Sequence, residues 1–125
     1  MITTTKSTKA LHEELLAKLN SEEYSDGTYN LETLEPVDFS NGYQVTFCQV
    51  GDNYTEDEYD FLVAMFAEVS TDGIVYAGKF GGEPEISFHF SNFDMAVRYA
   101  KKFNQVSIWN WKFEHEYITG GTGRR

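Results

Sequence analysis

The stretch NYTEDEYDFLVAMFAEVST, residues 53–71, decides the fold, because it begins with a run of acids and continues as an almost purely apolar segment. Thr55 and Glu58 have the spacing of a capping box, in which a hydroxyl and a carboxylate satisfy free N–H groups at the start of a helix. Glu56 and Asp57 fall in the first turn, where the helix dipole favours negative charge. The acids therefore predict the start of a helix at this point.

The apolar part of the stretch has helical spacing. Five apolar residues recur one and four positions apart, and these are Phe61, Leu62, Met65, Phe66 and Val69. A strand would place Glu68 on the same face as Phe66 and Leu62, because successive side chains of a strand alternate between faces. We therefore predict a helix over 55–69 whose apolar stripe packs on a sheet.

Turn signals and hydrophobic spacing place further elements before this helix. STKALHEELLAKLNSEE, residues 7–23, has the pattern of an amphipathic helix, and a short strand follows it. The dipeptide Asn41-Gly42 favours a type I′ turn between residues 35–40 and the strand-like residues 43–50. The sequence predicts a helix, a strand and a β-hairpin in this half.

Two strands, a helix and a last strand are predicted after residue 71. IVYAGKF, residues 74–80, and EISFHF, residues 85–90, are separated by glycines that suit a turn. Ser91 and Asp94 have capping-box spacing before an apolar helical stripe, and QVSIWNWKF, residues 105–113, ends the pattern as a strand.

The order of these elements predicts an α+β fold. From residue 43 the order is strand, helix, strand, strand, helix, strand, which is the split βαβ arrangement of a ferredoxin-like antiparallel sheet with both helices on one face. The N-terminal helix and the hairpin strand are additions to it. We expect a single domain over residues 1–125, with residues 1–7 and 119–125 flexible.

Composition indicates a folded protein of the cytoplasm. The chain contains ten Phe, eight Tyr and two Trp, which argues against disorder. It has no apolar run near the roughly 20 residues that a bilayer span requires. Cys48 cannot form a disulfide within the chain, and its place in a strand-like segment suits a packed residue in a reducing compartment.

Charge is distributed unevenly along the chain. The net charge is −10, yet residues 1–97 hold 18 acids against four bases, whereas residues 98–125 hold two acids against six bases. The acidic part repels phosphate groups, so direct binding to nucleic acid or to an anionic membrane is disfavoured. A basic partner protein is the electrostatic expectation, and solubilising charge is the simpler explanation that stays open.

Several segments resemble small accessory proteins of bacteriophages and other mobile elements. They are GTYNLETLEPVDFSNGYQV, YAGKF, EISFHFSNFDMAVRYAKKFNQVSIW and the terminal TGG, which together fall within residues 27–121. The resemblance supplies no activity and no site residues. It implies a context in which binding to a host or defence protein is expected.

No catalytic, metal or cofactor motif is present in the sequence. His115 lies between two glutamates, but on a strand it would point away from both, so the three cannot converge on a metal. Cys48 has no spacing relation to His12 or His89 that indicates a nucleophile and its base. The glycine-rich segments lack the order of a nucleotide site. We expect no cofactor and no enzymatic activity.

The first functional hypothesis is a non-enzymatic interaction module. A row of carboxylates near the second helix could imitate the phosphates of nucleic acid and so engage a basic, nucleic-acid-binding host or defence protein as an inhibitor. The residues of this row are Asp52, Glu56, Asp57, Glu58 and Asp60.

The alternative hypothesis is a small-ligand binding or sequestering protein, which could be oligomeric. Trp109 and Trp111 lie two residues apart and so share a strand face, where Arg98 or Arg124 could bind an anionic group. The sequence leaves open which sheet face is exposed, and it leaves open a homodimer.

Overall fold

The computed structural model describes residues 8–49 and 54–121. The described residues form three helices and six strands, in the order α1 (Thr8–Leu19), β1 (Gly27–Asn30), β2 (Tyr43–Gln49), α2 (Glu56–Val69), β3 (Tyr76–Phe80), β4 (Glu83–Phe90), α3 (Phe93–Lys102), β5 (Ser107–Asn110) and β6 (His115–Ile118). The α+β class is thus confirmed. Of the termini predicted to be flexible, residues 1–7 and 122–125 lie outside the described residues.

All six strands belong to one open sheet. The strand order is β1-β3-β4-β2-β5-β6, and every neighbouring pair is antiparallel. The pairing of β2 with β4 is interrupted by a register shift between Thr46 and Cys48. The chain therefore connects non-neighbouring strands three times, through residues 31–42, α2 and α3.

The helices lie on one face of the sheet and bury an aromatic core there. Phe66 of α2 has its ring centroid 4.5 Å from that of Phe88 on β4 and 5.2 Å from that of Phe103 at the end of α3. Ala96 and Ala100 are the buried residues of α3, so this helix approaches the sheet closely through small side chains. Leu16 and Leu19 of α1 join the same core.

The opposite face of the sheet is covered by the connection between β1 and β2. We call residues 31–42 the strap, because they cross over β3 and β4 to reach β2. Phe39 of the strap stacks on His89 of β4 with centroids 3.9 Å apart, and it contacts Tyr76 and Trp111 edge-on. The sheet is therefore buried on both faces in its centre.

The predicted hairpin strand at residues 35–40 is wrong. The described residues there form only an isolated bridge between Pro36 and Tyr29, and Asn41 does not have the positive φ that a type I′ turn requires. The physical reason is Phe39, which gains more contact by lying across the open face on His89 than by pairing beside β2.

The second helix is confirmed, but its buried stripe differs from the predicted one. Tyr59, Val63 and Phe66 are the buried residues of α2, whereas Phe61 is 69% exposed and Met65 is only half-buried. The helix contacts both the sheet and α1, so its apolar face is rotated toward Tyr59. The predicted start of α3 is also displaced, because Asn92 rather than Ser91 accepts the hydrogen bond of the first turn.

The predicted last strand is shorter than 105–113, and a sixth strand follows it. After β5 the chain turns at residues 111–114, where Glu114 has a φ of 52°, and returns as β6. Thr119 then closes the strand pair through its N–H to the carbonyl of Val106. In residues 8–49 and 54–121, no helix is long and apolar enough to cross a membrane.

Candidate interaction surface on the first two helices

The start of α2 is built as the sequence predicts. The Oγ1 of Thr55 accepts a hydrogen bond from the N–H of Glu58 at 3.1 Å and donates one to Oε1 of Glu58 at 3.1 Å. This arrangement fixes the first turn, so that Glu56, Asp57 and Glu58 are exposed to solvent. The cap thereby explains why the acids occur here, and it also presents them outward.

Two other members of the predicted acidic row differ from these three. Asp60 is half-buried, and its Oδ1 is fully buried without a hydrogen-bond partner among the described residues. A carboxylate oxygen held in this way is poorly solvated, so a positive charge nearby would stabilise it. Asp52 lies outside the described residues.

A hydrogen-bonded pair between α1 and α2 lies at the centre of this region. Nδ1 of His12 is 2.8 Å from the hydroxyl of Tyr59, and the two rings meet edge-on. Burial lowers the pKa of His12, although the negative charges of Asp60 and Glu32 oppose this change. Burial also raises the pKa of the Tyr59 phenol. Both rings are therefore uncharged at neutral pH.

Acids from three segments of the chain act on this pair. Glu13 of α1 and Asp60 of α2 both act electrostatically on Tyr59, and Glu32 of the strap acts with Asp60 on His12. Glu56 acts in the same way on Lys9 of α1. We call these four acids, together with the other two acids in the first turn of α2, the acidic surface, which consists of Glu13, Glu32, Glu56, Asp57, Glu58 and Asp60.

Lys9 of α1 is already engaged. It forms an ion pair with Glu13 one helical turn away, and the hydrogen bond to Glu13 raises the pKa of Lys9. The single charge of Lys9 therefore neutralises only part of the negative charge of the six carboxylates. An arrangement of this kind attracts ammonium and guanidinium groups and gives them several acceptors over a short distance.

The tryptophans of the alternative hypothesis lie on the other face of the sheet. Trp109 pairs with Gln44 across β5 and β2, and Trp111 donates a hydrogen bond from Nε1 to Oε1 of Gln44 at 3.1 Å. Gln44 is buried and donates in turn to the Oγ of Ser87 at 3.0 Å. Both tryptophans are half-buried at this network.

The arginines of the alternative hypothesis are not brought to these tryptophans. Arg98 is exposed on α3, which packs on the face of the sheet that carries Phe88 and Phe90. Arg124 lies outside the described residues. Arg98 is therefore not placed to bind an anion beside Trp109.

The candidate nucleophile and metal ligands have structural roles instead. Cys48 is buried in β2, Nδ1 of His12 bonds to Tyr59, and Nε2 of His89 lies 2.9 Å from the carbonyl of Asn41. His115 belongs to β6 and is exposed. Among residues 8–49 and 54–121, no group of three or more His, Cys, Asp or Glu side chains could hold a metal ion.

Four residues of this region are absent from the row that the sequence predicts, namely Glu13, Glu32, His12 and Tyr59. The hydrogen bond between His12 and Tyr59 joins positions 47 apart in the chain, and no local pattern indicates such a contact. Tyr59 does carry one signal, because it lies four residues before Val63 and seven before Phe66, the spacing of a single helix face.

Comparisons with known proteins do not assign the chain to a family. It matches no protein-family model, no curated protein and no solved structure.

Proposed function

We propose that the chain is a non-enzymatic interaction module whose acidic surface binds a basic surface of another protein. The partner class that fits is a nucleic-acid-binding host or defence protein, because such proteins present Lys and Arg in the spacing of a phosphate backbone. Binding would occupy that basic surface and inhibit the partner. The resemblance of residues 27–121 to accessory proteins of mobile elements agrees with this context.

One observation carries the proposal. Carboxylates of α1, the strap and α2 act on one uncharged pair, His12 and Tyr59, while Lys9 is paired with Glu13. Acids distributed only for solubility have no need to act on one pair from three segments. A cationic group of a partner placed at this pair would be attracted by carboxylates of all three segments.

The fold type is part of the proposal. The order β3-β4-β2-β5, with α2 joining β2 to β3 and α3 joining β4 to β5, supports a ferredoxin-like unit. In this reading α1, β1 and β6 are additions. The addition of α1 is the functional one, because it supplies His12 and Glu13 to the acidic surface.

Neutral substitutions test the acidic surface. The triple variant Glu56→Gln, Asp57→Asn and Asp60→Asn removes three charges from the acidic surface and keeps the size of each side chain. We expect proteins captured from host lysate by the wild-type chain to be basic, to be displaced by DNA or RNA, and to be lost with this variant. With a captured and purified partner, the association rate should fall at least about tenfold for the variant.

A second triple variant controls for net charge. Glu22→Gln, Glu23→Gln and Glu83→Gln remove the same number of charges at exposed positions away from the acidic surface. This control should keep its partner and change the association rate by less than about threefold. The wild-type rate should also fall steeply between about 50 and 300 mM salt, because screening shortens the reach of charge. Equal capture by all three proteins, or a rate independent of salt, would refute the proposal.

The aromatic face remains the second candidate. Trp109 and Trp111 are half-buried beside Gln44, and their remaining exposed edges would suit a flat apolar ligand. The acidic surface is preferred because Arg98 lies on the other face of the sheet from the tryptophans, whereas carboxylates of three segments act on one His–Tyr pair. Quenching of tryptophan fluorescence by a small molecule, lost in Trp109→Phe, would favour the second candidate.

A further inference from the structure

The two edge strands of the sheet, β1 and β6, differ in whether another segment of the chain pairs with them. At the β1 edge, the strap runs alongside the strand: the N–H of Asn30 donates to the carbonyl of Glu35, and the N–H of Val37 donates to the carbonyl of Thr28. Pro36, which has no N–H to offer a further strand, lies between these two bonds. The β1 edge is therefore closed by the chain itself.

Among the described residues, the β6 edge is open, because β6 pairs only with β5 and all four of its residues are exposed. It contains no Pro, no Lys and no bulge, which are three of the features that commonly keep an edge strand from pairing, and its protection is limited to its short length and to Glu116. Exposed apolar side chains lie on it and directly before it, since Tyr117 is 44% exposed, Ile118 64% and Phe113 65%.

The backbone groups on this edge have a defined pattern. The N–H of Thr119 donates to Val106, and bonded positions of an antiparallel pair recur at every second residue, so Tyr117 and His115 also face β5. Glu116 and Ile118 then direct their N–H and C=O groups away from the sheet. An added strand would find two donors and two acceptors at these residues.

We propose that β6 pairs with β6 of a second copy of this chain, antiparallel and centred on Tyr117. In this register Glu116 and Ile118 of one copy exchange their free backbone hydrogen bonds with Ile118 and Glu116 of the other. Tyr117 of one copy lies opposite Tyr117 of the other, at a closely spaced position without backbone hydrogen bonds. The two sheets join into one continuous twelve-stranded sheet, and the interface is the same on both copies.

Charge disfavours one competing register. A register centred on Glu116 would place two glutamates directly opposite each other, which is unfavourable, whereas centring on Tyr117 places each Glu116 opposite Ile118. Each Tyr117 ring already contacts Phe93 edge-on, with centroids 4.9 Å apart, so the pairing extends an aromatic row across the axis.

The position of β6 in the sheet also suits a second copy of an acidic chain. β6 lies beyond β5, and the helix that contacts β5 is α3, whose outer side carries Arg98, Lys101 and Lys102. The acidic surface is on α1, α2 and the start of the strap; α1 packs on β4, and the strap begins after β1 at the other end of the sheet. Joining two copies at β6 therefore keeps the two acidic surfaces apart and limits their repulsion.

Self-association against concentration tests the proposal. Analytical ultracentrifugation of the full chain over about 5 to 500 μM should show a reversible change from one chain to two, the range in which a small interface associates. Ile118→Glu should raise the dimer dissociation constant at least about tenfold, because it places a carboxylate directly opposite Glu116 of the other copy. Phe61→Glu places the same charge at an equally exposed apolar residue of α2 and should leave the constant within about twofold.

Cross-linking tests the register. In this register the two residues 117, one from each copy, face each other at a Cα separation of about 4.5 Å, which is within disulfide range. The two residues 118 are offset from each other by two residues along the strands. Under mild oxidation Tyr117→Cys should form a covalent dimer, and Ile118→Cys should do so far more slowly. The wild-type chain is the control for Cys48, which is buried.

Three outcomes would overturn the proposal. They are a chain that stays monomeric at the highest concentration, a dimer that Ile118→Glu leaves intact, and a dimer in which Tyr117→Cys does not cross-link. In the first case, binding of an extended peptide to the monomer with new exchange protection of the Glu116 and Ile118 N–H groups would identify the edge as a site for another protein. A dimer blocked by Ile118→Glu and captured by Tyr117→Cys would establish the interface independently of the acidic surface.

Discussion

Gly42 is the position where one added methyl group should disturb the whole covered face of the sheet. Its φ is 92°, a conformation that residues with a side chain rarely adopt. A Cβ at this position would lie 2.3 Å from Nε2 of His89 and 3.0 Å from the carbonyl oxygen of Phe90. The imidazole cannot easily withdraw, because it is stacked on Phe39 and its Nε2 bonds to the carbonyl of Asn41.

The expected cost of Gly42→Ala has separable parts. The left-handed backbone contributes about 1–2 kcal/mol, loss of the His89–Asn41 hydrogen bond about 1 kcal/mol, and disturbance of the ring stack about 1 kcal/mol. We therefore expect a decrease of about 3–4 kcal/mol in the free energy of unfolding, measured by urea denaturation with fluorescence detection.

Gly82→Ala isolates the backbone part. Gly82 has a φ of 82°, and a Cβ there would meet nothing within 4 Å, so only the strain of about 1–2 kcal/mol should remain. In a His89→Ala background the excess cost of Gly42→Ala over Gly82→Ala should disappear. If the two alanine substitutions cost the same in the wild-type chain, the close packing of the strap on His89 is not as described.

Three further predictions concern the helices and the acidic surface. Phe66→Ala should cost about 3–5 kcal/mol and Phe61→Ala less than about 1 kcal/mol, because only the first ring is buried; equal melting temperatures would contradict the assignment of the buried stripe. Thr55→Ala should cost about 1 kcal/mol in urea denaturation through loss of the cap, whereas Thr55→Ser should cost little. His12 has a folded-state pKa below its ordinary 6.5, so the unfolded chain takes up the proton first as the pH decreases. The free energy of unfolding should therefore fall as the pH decreases through about 6.5. His12→Gln should reduce this pH dependence, and an unchanged pH profile of stability in the variant would contradict the prediction.

Local sequence signals predict the elements of this fold better than they predict what each element packs against. The cap of α2 is predictable because Thr55 and Glu58 are three residues apart and the bond between them needs no other part of the chain. The buried face of α2 is not predictable in this way, because the helix packs on both the sheet and α1. The contact with α1 turns Tyr59 inward and Phe61 outward. The apolar stripe predicted for packing on the sheet alone therefore differs from the buried face that the structure shows.

The strap shows the same limit for a turn signal. Asn41-Gly42 predicts a hairpin from the preference of two residues, but Phe39 contacts His89, Tyr76 and Trp111, which come much later in the sequence. The acidic row of α2 is similarly predictable, whereas its extension to α1 depends on a His–Tyr bond across 47 positions. Pairings of this range are decided by topology, which the sequence pattern only suggests.

The strand order separates the acidic and basic parts of the sequence in space. The acidic surface belongs to α1, the strap and α2, whereas Arg98, Lys101 and Lys102 lie on α3 beside the open end of the sheet. A dimer through β6 would thus present two acidic surfaces far apart, with the basic helices near the axis. Such a dimer gains from bivalence only on a partner with two basic patches, because a rigid sheet cannot bring both surfaces to one patch. Loss of the β6 contact should then weaken binding to an oligomeric or surface-bound partner while leaving each single acidic surface with its own affinity.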